Sequence, residues 1–106
     1  MTLRRGKYNN VKIEIDGFKF DSKKEAKRYG ELKLLVMGGE VFNLELQPKF
    51  PCVVNGVKVC TYIADFRYSA RGGDVIEDVK GMKTRVYRLK KKLVEALYPS
   101  VKITEI

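Results

Sequence analysis

Asn55-Gly56 constrains this chain more than any other dipeptide in it. It sits between "EVFNLELQPKFPCVV" and "VKVCTYIADFRY", two long runs rich in β-branched and aromatic residues. Asn-Gly supplies the two successive left-handed residues of a type I′ turn, so the two runs must fold back on each other as an antiparallel hairpin. A turn centred there pairs Cys52 with Val59 and Cys60 with Pro51, which sends the two sulfurs to opposite faces. No disulfide is expected, and a reducing, cytoplasmic setting fits these two cysteines.

The rest of the punctuation follows the same logic. "VKIEIDGFKF" alternates around Asp16-Gly17 and reads as a short N-terminal β-hairpin over residues 11 to 20. Ser22 then caps a helix from about 22 to 37, with Ala26, Tyr29, Leu32 and Val36 at helical spacing and Gly38-Gly39 as its stop. The run 57 to 68 is apolar on both sides, as a central strand would be. "SARGG" turns the chain into "DVIEDVK". Thr84 caps a second helix, on which Val86, Leu89, Leu93, Val94 and Leu97 are expected to share the core face and Pro99 marks the end. "VKITEI" gives a last strand. Residues 1 to 10 read as a polar basic arm, and 11 to 106 as one domain of class α/β (α+β): hairpin, helix, three antiparallel strands, helix, strand.

Lys and Arg total 22 against 13 Asp and Glu, a net charge of +9, which favours a polyanionic partner such as nucleic acid or an acidic membrane surface. The opening residues do not read as a leader, and no stretch reads as a membrane span. Histidine is absent. That removes the Ser-His-Asp triad and the common zinc sites, so hydrolysis would have to run on carboxylates, lysine and a hard cation.

"VIEDVKG", residues 75 to 81, sets acids and a lysine into an otherwise apolar strand. The turn at Arg71-Gly72 pairs Asp65 with Asp78 across neighbouring strands, while Glu77 points to the other side, opposite Phe66. Like charges placed directly across an antiparallel pair repel. Protonation, solvent or a cation must relieve them, and Mg²⁺ is suited to one or two carboxylates plus water. Lys80 projects to the same face as Asp78 and could orient a water or stabilise a phosphate. The plainer alternative is an edge charge paired with Lys80 or Arg67.

An acid on the second core strand followed by "EDVKG" on the third, in that element order, resembles the PD-(D/E)xK nuclease superfamily. The resemblance extends over residues 11 to 106. It is closer still to small phage and prophage endonucleases and to the endonuclease subunit of heteromeric transposases, through "FDSKKEAKRY", "LQPKF", "TYIADF" and "EDVKG". It implies a restriction-endonuclease-like core with a mixed sheet between two helices. It implies Asp65, Asp78 and Glu25 as metal ligands, Lys80 as catalytic lysine, and Mg²⁺ as cofactor with Mn²⁺ as substitute. Ala64 stands where the superfamily's name has proline.

Glu25 keeps a second reading, because "SKKE" from Ser22 is also a capping box. Gln47 and Lys49 stay outside the catalytic set. Lys83, Arg85, Arg88 and Lys91 are candidate phosphate contacts, although a solvated helix face explains them too.

The expected function is a Mg²⁺-dependent DNA endonuclease acting on branched or recombination DNA. A homodimer is expected, since resolving a junction takes two symmetric cuts, and phage recombination or replication proteins are possible partners. The alternatives are a non-catalytic basic nucleic-acid-binding module and a phage structural or adaptor protein.

Overall fold

The computed structural model of the protein describes residues 12–79 and 83–106. Strands β1 (Ile13–Ile15) and β2 (Phe18–Phe20) form the N-terminal hairpin, turning through Asp16 at φ 56° and Gly17 at φ 83°. Helix α1 (Lys23–Met37) follows, with Ser22 Oγ accepting the Glu25 N–H. Ala26, Tyr29 and Leu32 are buried as their spacing predicts, but Val36, in the last turn, is exposed.

The Asn55-Gly56 turn forms with both residues at positive φ, and the two runs it joins make one long hairpin. Its inner arms are β3 (Val41–Leu46) and β6 (Phe66–Ala70), and its outer arms are β4 (Lys49–Val54) and β5 (Val57–Ile63). Two bonds carry the ladder across the break between them: Gln47 N–H to Asp65 C=O at 2.9 Å and Ala64 N–H to Pro48 C=O at 3.1 Å. Gln47 is left-handed there, at φ 53°.

The expected register holds only near the tip. Val54 faces Val57 and Val53 faces Lys58, but a bulge beyond them pairs Cys52 with Cys60 and Pro51 with Thr61. A bulge adds one residue to one strand, which displaces every later pair by one. The two cysteines therefore oppose each other rather than diverge, and both are free thiols.

Strand β7 (Gly73–Asp78) returns along β6 from the Arg71-Gly72 turn, with Phe66 opposite Glu77 as the sequence predicts. Helix α2 (Arg85–Leu97) and strand β8 (Ile103–Glu105) complete the chain, and β8 lies parallel to β7. The main sheet is thus mixed, in the order β3-β6-β7-β8.

Alternation along the strands makes two cores. Phe66, Tyr68 and Val41 pack with Phe20, Ala26, Tyr29 and Leu32 beneath α1. Phe50, Cys52, Tyr62, Ala64, Ile76 and Ile103 pack with Tyr87 and Val94 of α2. Ala64 and Phe66 have the same parity in sequence, yet they enter different cores. The break at Gln47 and Asp65 turns the outer arms over toward α2.

Two expectations are corrected here. Only the inner half of the 57 to 68 run is central; in the outer ribbon Val57, Val59 and Ile63 are exposed. On α2 the inward face is Tyr87, Val94 and part of Leu93, whereas Val86 is 61% and Leu89 68% exposed. Helical spacing identifies residues that share a face but leaves open which flank of the stripe meets the sheet.

Candidate functional site: a buried carboxylate cluster

Successive residues of a strand point to opposite faces, so the two acids that end β7 separate although both are buried, Glu77 at 1% exposure and Asp78 at 0%. On the α1 side, Glu77 accepts two bonds from Arg28, Nε to Oε1 at 2.8 Å and Nη2 to Oε2 at 2.6 Å, and a third from the Tyr68 hydroxyl. Arg28 is held still more firmly protonated by this carboxylate. The pair is a forked, charge-assisted lock between helix and sheet.

On the other side, Asp78 accepts a hydrogen bond at Oδ2 from the Tyr62 hydroxyl. Tyr62 is buried, and burial first, then Asp78, push its phenol far above its ordinary range. Asp65 follows Tyr62 on the same strand run, at the break between β5 and β6. Its N–H donates to the Glu77 carbonyl at 3.1 Å and its Oδ2 accepts the Val79 N–H at 2.6 Å. Asp65 therefore lies near Asp78, one residue beyond the last ladder pair, Phe66–Glu77, with its N–H on Glu77 rather than on Asp78.

Asp65 also has the side chains of both Glu25 and Asp78 within hydrogen-bond reach. Burial, followed by the contact with Glu25, lifts its carboxyl to about 6, against the opposing pull of the Val79 N–H and Asp78. Glu25 comes from the first turn of α1 and is itself buried. Both readings of Glu25 meet in one side chain: Oε1 accepts the Asp21 N–H at 3.1 Å as part of the helix cap, and the same carboxylate touches Asp65.

Glu25, Asp65 and Asp78 are thus brought together from α1, the β5–β6 break and the end of β7. Asp65 is the middle member of the row. Among the described residues, no group of three or more His, Cys, Asp or Glu side chains is arranged to hold one ion. Lys80 lies outside the described residues.

The four basic candidates divide. Lys83 Nζ meets Glu105 Oε1 at 3.1 Å, and Lys91 Nζ meets Oε2 at 3.5 Å. Tyr87 donates to the same carboxylate at 2.7 Å, and together these hold Glu105 down at about 2, the tyrosine bond first. Arg85 and Arg88 are exposed on α2. Beside them a cavity of about 310 Å³ opens between β5 and the first turns of α2, lined by Thr61, Ile63, Thr84, Val86 and Lys90 with Tyr62 and Tyr87.

Sequence reasoning missed Arg28, Tyr62 and Tyr87 as members of this polar system. A signal existed for Tyr62, which stands three residues before Asp65 in "TYIADF". For Arg28 the only cue was that a buried Glu77 needs a cation, and the sequence offers several on α1.

Fold and site together define an α+β protein with a carboxylate cluster at the break of its central hairpin. The chain belongs to the family described as "Protein of unknown function (DUF1064)", whose model matches residues 5–106. No curated protein and no solved structure matches it.

Proposed function

We propose that this protein is a metal-dependent endodeoxyribonuclease with a restriction-endonuclease-like core. The observation that carries the reading is the row Glu25, Asp65 and Asp78, in which Asp65 is lifted to about 6 by burial and by a second carboxylate. Folding that drives like charges together stores repulsion, and clusters of this kind concentrate where chemistry is done. The strand order supports it too: a helix, a hairpin one inner arm of which pairs with a third antiparallel strand, then a helix and a strand parallel to the third.

The donor set fits a hard divalent cation in charge and atom type. In this reading Asp65, Asp78 and Glu25 would hold Mg²⁺, or Mn²⁺ in its place, and would have to draw in around it, since their side chains are not arranged about one ion as they stand. Bound there, such an ion would activate a water and neutralise charge on the phosphate under attack. The chain's own groups then have defined tasks. Tyr62 and the Val79 N–H each fix one oxygen of an aspartate, which limits how either carboxylate can rotate. Lys80 is assigned the positive charge that would stabilise the phosphate, and Arg85 and Arg88 would take the DNA backbone. A domain this small has little surface for reading a long base sequence, so branched or recombination DNA is the proposed substrate, cut by a homodimer in the cytoplasm.

A second reading is favoured by one specific observation: each acid is also engaged by a donor of the protein itself, Glu25 by Asp21 N–H, Asp65 by Val79 N–H and Asp78 by Tyr62. A basic nucleic-acid-binding module of the same fold would use the acids for architecture alone. Supercoiled plasmid and a four-way junction, each incubated with Mg²⁺, Mn²⁺ or chelator, separate the two. Cleavage that needs the ion and disappears in Asp78→Asn and Lys80→Ala is the expected result; DNA that is bound but left intact by the wild type gives the second reading.

A further inference from the structure

The bulge in the outer hairpin has a chemical consequence. Cys52 and Cys60 are direct cross-strand partners. Opposed residues of an antiparallel pair lie about 4.5 to 5.5 Å apart at Cα, which is inside the span of about 4.4 to 6.8 Å that a disulfide bridges. The two thiols are near enough for Cys60 to help push the Cys52 thiol up, after burial. Access differs between them. Cys52 is fully buried in the core beneath α2, its thiol directed at the Phe50 carbonyl at 3.7 Å, while Cys60 is half-buried at the edge of that core.

We infer that Cys52 and Cys60 are a reactive dithiol, which closes reversibly into an intramolecular cross-strand disulfide by exchange with a small disulfide such as oxidised glutathione. The accessible Cys60 reacts first: its thiolate attacks one sulfur of the small disulfide, forms a mixed disulfide and expels one small thiolate. Cys52 then loses its proton to solvent and its sulfur displaces the second small thiolate. The protein gives up two electrons and two protons, and the small disulfide leaves as two thiols. Burial pushes the Cys52 thiol up, which suits it to the second step rather than the first. The new bond would join the two arms at the level where α2 rests on them, two residues from Tyr62.

The test uses the full chain in buffers of graded reduced-to-oxidised glutathione ratio, quenched with acid, blocked with a maleimide and weighed intact. As the buffer becomes more oxidising, the wild type should pass from two blocked thiols to none, lose the mass of two hydrogens, and remain a single chain on a non-reducing gel. Cys52→Ala should stop at a glutathione adduct on Cys60. Lys58 lies between the cysteines, so a tryptic digest of the oxidised wild type should hold peptides 50–58 and 59–67 together until a reductant is added. This last measurement needs no variant to fold. Wild type that accumulates the adduct, links to a second chain, or keeps both thiols in fully oxidising buffer would overturn the inference.

Discussion

Glu77 and Asp78 are adjacent, almost equally buried and chemically alike, yet the fold treats them in opposite ways. Glu77 meets a guanidinium in a two-pronged bond and a tyrosine hydroxyl, so its charge is matched inside the protein. Asp78 meets a tyrosine and lies next to Asp65, which in turn touches Glu25. One step along a strand takes the chain from a carboxylate that closes a structure to one in a group carrying surplus negative charge. What a buried acid does is read from the charge of its neighbours rather than from its burial.

The contrast predicts a gradient of effects. The largest belongs to the lock: Arg28→Ala leaves Glu77 buried without its cation and should cost about 3–5 kcal/mol in urea unfolding, with much of it recovered when Glu77 is also made apolar. Asp78→Asn keeps an acceptor for Tyr62 and removes one like charge, so its stability cost should stay within about 1 kcal/mol. The same substitution should lower metal-dependent cleavage by at least about a hundredfold. Equal unfolding penalties for the two variants would erase the distinction drawn between the faces.

The pH dependence has a definite sign. Asp65 holds its proton more tightly in the folded chain, at about 6, than an ordinary aspartate does. Protonation of this group therefore favours the fold, and its contribution grows as pH falls from about 7 through 6 toward 4 and is lost as pH rises through 6. Melting temperatures should show that component in the wild type and lack it in Asp65→Asn. Glu25→Gln retains an oxygen for the Asp21 N–H, so stability should move by less than about 0.5 kcal/mol, while cleavage falls. The smallest effect is at the surface: Arg85→Ala or Arg88→Ala should each reduce the salt slope of DNA binding by about one, measured by a titration of affinity against salt concentration.

Turn chemistry made most of this architecture legible. Asp16-Gly17, Asn55-Gly56 and Arg71-Gly72 fix where strands reverse, and the last of them sets the Phe66–Glu77 register that brings Asp65 near Asp78. The cysteine pairing was not legible, because a bulge depends on how the twisted ribbon packs beneath α2 and carries no residue signature here. The orientation of α2 was hidden for a related reason. Its apolar residues cover a wider arc than the core needs, and the sheet takes the Tyr87–Val94 edge, leaving Val86 and Leu89 outside. Arg28 was hidden among the cations of α1, whose partners depend on tertiary placement.

The turn-over at Gln47 and Asp65 makes a single ribbon supply side chains to both hydrophobic interiors. Neither interior can come apart without releasing strands that the other depends on. Heating should accordingly melt the molecule as one cooperative unit, with the α1 and α2 halves lost at a common temperature despite their separate packing.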